Sequence, residues 1–343
     1  MSAGIGVQPC LPHRRHRDAK RLRKLGMRHR LAQNVRGLSE IHVCTRIDML
    51  SRDVYITAYR QELEAPMSRL NLARQTQIIA GLVEGNSIRS MERMTDTHRD
   101  TIMRLAVRVG EGCAKIMDEE MRDLDCRRIQ ADEIWAYVGK KQRQVTPADD
   151  RSRVGDMWTF VAMDADTKVV PAYRVGKRDG ANANAFMMDL SERLANRVQI
   201  STDGLSAYVD AVERAFGADV DYGQIVKAYE ADPIGPGRYS PPRVVSAEKA
   251  AIAGAPAPEH ISTSFIERQN LTMRMSMRRF TRLTNGFSKK VENLRAAVAL
   301  HFCHYNFVRT HKTLRVTPAM AAGVSNRLWS LEEVVERTAW TST

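Results

Sequence analysis

The spacing of apolar residues changes once along this chain, near residue 127, and that change limits the fold more than any other feature. Between about residues 70 and 126 the spacing is helical. In 75–84, Ile78, Ile79, Leu82 and Val83 recur at i, i+3, i+4. Gly85 and Asn86 read as a helix stop, and Ser87 as the N-cap of a short helix with Ile88 and Met91 inward. After a turn at 95–97, a helix over about 98–109 puts Ile102, Leu105, Ala106 and Val109 on one face. Arg104 and Arg108 fall opposite, Arg99 at the margin, and His98 opens the helix. Two helices, a turn and a basic third helix form an arrangement able to enter a DNA major groove. From residue 127 the pattern is that of strands: 127–138, then 157–164 and 168–175 as a hairpin turning at 165–167. A helix over 184–195, a short buried strand over 198–202 and a helix over 205–216 follow. The expected class is α/β, a mixed sheet flanked by helices behind an N-terminal all-α domain.

The domain boundaries follow from composition. Residues 1–66 hold 13 Lys/Arg against 6 Asp/Glu, so +7 of the net charge of +13 lies there. Such a charge block stays disordered or lies on nucleic acid. It reads as a basic extension, or as an over-extended start with Met67 as the alternative. Residues 67–111 are the helical domain expected to bind DNA, 112–126 a helical connector, 127–325 the α/β domain, and 326–343 a last helix and tail. Residues 217–260, rich in Gly, Pro and Ala, read as a loop or insertion. Helices are expected at 264–280, 289–310, 318–323 and 331–338. The positive charge favours a polyanionic partner, because Lys and Arg neutralise phosphates and release counterions. No apolar run is long enough to span a membrane, and no secretory signal is expected. Five scattered cysteines, none at CxxC spacing, fit free thiols in a reducing cytoplasm and argue against a zinc finger.

Three acids stand where a carboxylate needs compensation. Asp132 shares its strand face with Ile134, Ala136 and Val138; Asp203 ends a strand before Gly204; Glu267 opens a late helix. Divalent ions with oxygen ligands would supply the compensation. Spacing alone leaves Glu133, Asp164 and Asp166 as rivals, and Asp203 as a simple helix cap. On its helix Glu267 shares a face with Asn270, Leu271 and Arg274, with Arg278, Arg279 and Arg282 extending a basic run toward DNA phosphates. Trp135, the histidines 301, 304 and 311, and Met273, Met275 and Met277 read as packing.

The stretches CRRIQADEIWAYVGKKQ, STDGLSAYVDAVERAFG, STSFIERQNLTMRMSMRRFTRLTNGFSKK and HYNFVRTHKTLRVTPAMAAGV closely resemble transposases of the insertion sequence one family, over about residues 67–335. That family belongs to the DDE superfamily with an RNase H-like core. The resemblance implies a helix-turn-helix that binds terminal inverted repeats, and metal-dependent strand cleavage and transfer. It places the triad on Asp132, Asp203 and Glu267, with two Mg²⁺ ions (Mn²⁺ as substitute) bridged by Asp132. It implies double-stranded DNA as partner, at least a dimer in the synaptic complex, and no membrane. The DNA-contacting set becomes His98, Arg99, Arg104, Arg108, Asn270, Arg274, Arg278, Arg279 and Arg282. Two features depart from the family: the zinc finger of some members is missing, and Asp203 and Glu267 lie 64 residues apart, which the 217–260 segment explains. The rivals are a non-enzymatic helix-turn-helix regulator and an RNase H-like structure-specific nuclease that cuts without joining.

Overall fold

The computed structural model describes residues 70–230, 243–281 and 285–340. The basic extension 1–66, Cys10, Cys44 and Arg282 lie outside the described residues. Residues 70–343 form one compact unit.

Three helices open it: α1 (Leu72–Val83), α2 (Ile88–Thr95) and α3 (Arg99–Glu120). Their starts have the expected chemistry. Asn71 caps α1 through Arg74 N, and the Ser87 hydroxyl accepts from Ser90 N to cap α2. Ile78, Ile79, Met91, Ile102 and Leu105 bury the shared interior. α3 runs unbroken for 22 residues, through both the expected basic helix and most of the connector. Its glycines do not stop it because they serve packing. A Cβ on Gly110 would run into the Ala296 backbone, and one on Gly112 into Thr338.

The remainder is built on one mixed six-stranded sheet in the order β3-β2-β1-β4-β5-β6. Its strands are β1 (Arg128–Val138), β2 (Gly155–Asp164), β3 (Tyr173–Gly176), β4 (Val198–Asp203), β5 (Val220–Glu230) and β6 (Arg243–Ala253). β1, β2 and β3 pair antiparallel, β4 runs parallel to both β1 and β5, and β6 returns antiparallel on β5. Helices α4 (Gly180–Ser191) and α5 (Ala207–Phe216) pack on each other, with Phe160 of β2 against Phe186 and Tyr208. Helix α6 (Ser264–Ser276) lies on β1 and β2. α7 (Val291–Cys303) packs along α3, and after the short α8 (Pro318–Ala321) the last helix, α9 (Leu331–Trp340), closes against α1 and α3.

Two expectations need correction. Residues 217–260 are not a loop: they hold β5 and β6, and Val220, Tyr222 and Ile225 are buried. The hairpin strand expected over 168–175 is short because Pro171 has no N–H for the ladder. There both backbone groups of Val170 bond instead to the Asn306 side chain, at 3.1 and 3.0 Å. Cys113, Cys126 and Cys303 are buried free thiols. His301 is buried beside Phe302 and Tyr305, and burial lowers its pKa to about 3. No described helix is long and apolar enough to cross a membrane.

Candidate active site

Strand register brings the first two acids together. β1 and β4 pair in parallel as far as Ala131 with Thr202, so the next residues in line are Asp132 and Asp203. β4 ends there, and β1 continues alone on that side until Val138 meets Ser288. The result is an opening beyond the carboxyl end of a parallel strand, where α/β sheets place ligands. Glu133 reaches the same opening from the other face of β1. One carboxylate oxygen from each of Asp132, Glu133 and Asp203 lies within 4.8 Å of the others.

The third acid arrives on α6, which β1 holds at two points. Gln130, buried and two residues before Asp132, accepts from Phe265 N (2.8 Å) and Ile266 N (3.2 Å), capping the helix. Asn270, also buried, donates from Nδ2 to Asp132 Oδ2 at 2.9 Å. Glu267, one turn before Asn270, is not among the acids whose oxygens meet within 4.8 Å, which among the described residues are Asp132, Glu133 and Asp203. Its carboxylate is ion-paired to Lys227 of β5 and accepts from Thr263 Oγ1 at 2.6 Å. It stands near enough for its charge to act on Asp132.

The electrostatics follow from this crowding. Burial first, then the Glu133 and Asp203 charges, push Asp132 up to about 7. Glu133 is raised by burial and by Asp203, while Tyr208 and Arg178 pull it down. Arg178 Nε lies 3.1 Å from Glu133 Oε2, and Nη2 lies 3.6 Å from Asp203 Oδ2. Asp203 also caps the turn into α5, accepting from Leu205 N at 3.1 Å. Among the described residues, Asn270 Oδ1 is buried without a hydrogen-bond partner, and Glu133 Oε1 has none closer than the neighbouring Tyr208 hydroxyl. Clustered oxygen donors, an unfilled oxygen and a carboxylate forced toward its neutral form match what a hard divalent cation requires.

The rival carboxylates separate cleanly. Asp164 accepts from Thr167 N and Oγ1, both at 2.7 Å, which makes it a turn former; Asp166 pairs with Arg128 at the far end of β1. Glu133 alone of the three joins the cluster.

The basic residues divide too. His98, Arg99 and Arg104 are exposed, whereas Arg108 is half-buried and bonds Gln75 of α1. α6 stops at Ser276 because Met277 is extended, so Arg278 and Arg279 leave the helical row expected for them and form a separate turn. Arg278 is exposed. Arg279 instead bonds Ser288 Oγ at 2.7 Å and lines a small pocket with Trp135, Tyr137 and Phe287; burial lowers its guanidinium to about 10. Arg274 is half-buried on α6, and Asn270 points inward to Asp132. Sequence reasoning missed Gln130, Arg178 and Lys227. Only the two-residue spacing of Gln130 and Asp132 on one strand face could have signalled the first.

No protein-family profile and no curated protein matches the chain. Among solved structures it is similar to a piggyBac transposase synaptic complex with hairpin DNA, at 8% identity over 79% of this chain and 70% of that one, TM-score 0.43. It is also similar to a Mos1 transposase paired-end complex with left transposon end, at 14% identity over 54% and 69%, TM-score 0.18. A Mos1 strand transfer complex gives 12% identity over 86% and 97%, TM-score 0.21. At TM-scores this low, function must be argued from the site's own geometry.

Proposed function

We propose that this chain is a DNA transposase of the DDE type, with Asp132, Asp203 and Glu267 as its catalytic acids on an RNase H-like core. The observation that carries the reading is the side-by-side register of Asp132 and Asp203 at the end of β4, with the helix of Glu267 docked onto β1 through Gln130 and Asn270. The strand arrangement supports it: three antiparallel strands, then two parallel strands reached through helices, is the order of the RNase H-like fold. The resemblance to insertion sequence one transposases points the same way.

Divalent ions held by these three acids, two Mg²⁺ with Mn²⁺ as substitute, would activate an attacking oxygen and stabilise the leaving one. The chain's own residues do the rest. Gln130 and Asn270 fix the helix and the Asp132 carboxylate, so that the acids meet one phosphodiester in a set geometry. Helices α1–α3 act as a helix-turn-helix that presents His98, Arg99 and Arg104 to the terminal inverted repeats, and Arg278 grips the strand near the site. The reaction is hydrolysis at the element end, which leaves a 3′-OH, followed by attack of that hydroxyl on a target phosphodiester with release of a target 3′-OH. Two ends handled together require at least two protomers.

The test is cleavage and strand transfer on labelled duplexes ending in the inverted repeats that bracket the gene. Wild type with Mg²⁺ should cut and join, while Asp132→Asn, Asp203→Asn and Glu267→Gln should each lose about 10³-fold or more in rate and still bind the duplex. Cutting without joining would favour a nuclease. Specific binding without cutting would favour a regulator.

A further inference from the structure

The Asp132, Asp203 and Glu267 set leaves a second buried acid unexplained. The Glu133 side chain is 1% exposed and sits opposite Phe160 in the sheet, on the face packed by Phe186 and Tyr208. A carboxylate in such a place costs several kcal/mol unless something is gained from it. Glu133 faces two groups, the buried Tyr208 hydroxyl and Arg178, whose Nε lies 3.1 Å from its Oε2.

The chain on both sides of Arg178 is anchored. Arg178 lies in the three-residue link between β3 and α4. On its N-terminal side Lys177 Nζ donates to the Val154 and Asp156 carbonyls, at 2.7 and 2.8 Å. On its C-terminal side Asp179 caps α4, accepting from Asn182 N at 2.9 Å. The guanidinium lies 5.0 Å from the centre of the Trp158 ring, and Nη2 reaches to 3.6 Å from Asp203. Its side chain remains 37% exposed, and among the described residues its hydrogen bonding stops at Glu133. Most of its five N–H donors are thus open beside a catalytic acid, on a planar fork suited to phosphate oxygens.

We propose that Arg178 is a catalytic residue that binds a non-bridging oxygen of the scissile DNA phosphodiester, and that Glu133 is its positioning residue. This deepens the transposase reading and rests on it. Arg178 faces Asp203 across 3.6 Å, and its remaining N–H groups bind the phosphate. A fixed guanidinium there stabilises the extra negative charge of the five-coordinate phosphorus in both chemical steps.

The experiment compares wild type, Arg178→Met, Arg178→Lys and Glu133→Gln with Asp132→Asn as control. Three measurements are made: single-turnover cleavage of a duplex element end, binding of that duplex with Ca²⁺, and Mn²⁺ affinity. Arg178→Met should slow cleavage about 10²- to 10³-fold while Mn²⁺ affinity holds or rises, and Arg178→Lys should recover only part. Glu133→Gln should fall between Arg178→Met and wild type. Sulfur in place of one non-bridging oxygen should slow wild type for one diastereomer and add nothing to the Arg178→Met defect. A scaffold role cannot produce that non-additivity. Cleavage by Arg178→Met within twofold of wild type, or independent thio and mutational defects, overturns the proposal. If wild type cleaves no duplex, the transposase reading fails separately. Binding then decides for Arg178: a loss of about tenfold in Arg178→Met supports the phosphate contact, and unchanged binding overturns it.

Discussion

Asp132 is a carboxylate whose folded state favours the proton. Burial and the neighbouring Glu133 and Asp203 charges raise it to about 7, against an ordinary value near 4. Between those two values the folded chain binds more protons than the unfolded chain, so this residue makes stability fall as pH rises through that window. Asp132→Asn keeps an oxygen for Asn270 to donate to and removes the charge. In metal-free buffer its melting temperature should exceed that of wild type by a few degrees at pH 8, with the difference shrinking toward pH 4. A variant that melts below wild type at pH 8 would contradict the crowding described here. Asp132 and Asp203 stood out in the sequence as carboxylates needing compensation, but rival acids and a helix-cap role for Asp203 stayed open, and only the resemblance to the insertion sequence one family chose between them. Glu133 was named only as a rival, because strand alternation sends it to the face opposite Asp132. Only the end of β4 lets it turn into the same opening. Arg178 and Lys227 were illegible for a different reason: they meet their partners 45 and 40 residues away in sequence.

At the scale of elements, the docking of α6 on β1 decides where Glu267 stands. Gln130 satisfies two of the backbone N–H groups that a helix start leaves open. Gln130→Leu should cost about 1 to 2 kcal/mol, the usual worth of a lost cap. It should also weaken Mn²⁺ binding, because Glu267 loses its support; calorimetry on the variant reads both. A destabilised variant with unchanged Mn²⁺ affinity would show that the helix start does not matter to the site. Helices with strong periodicity and Ser or Asn caps, such as α1 and α2, were readable to within a few residues. β5 and β6 were not. Averaged over 217–260, the Gly and Pro of the intervening segment mask two flanking strands, VDYGQIVKAYE and RVVSAEKAAIA. The same masking hid Lys227, since a residue assigned to a loop has no face.

Across the whole molecule, one sheet joins parts that the sequence holds far apart: β1 supplies Asp132 and Glu133, the end of β4 supplies Asp203, and the sheet's own side chains dock the helix of Glu267. The α3 helix ties the N-terminal trio to this body through α7 and α9, so the exposed His98, Arg99 and Arg104 ride on the helix that packs those two. The change of periodicity near residue 127 marked where the sheet begins, but not that α3 packs against both sides of that line. For the proposed triad of Asp132, Asp203 and Glu267 to share metal ions, Glu267 must leave Lys227, to which it is ion-paired. The most direct measurement is anomalous scattering from crystals of the full chain bound to a duplex end with Mn²⁺. The expected result is two peaks about 3.5–4 Å apart, bridged by Asp132, with Asp203 on one and Glu267, released from Lys227, on the other. Peaks held by Asp132, Glu133 and Asp203 alone, with Glu267 still on Lys227, would contradict it.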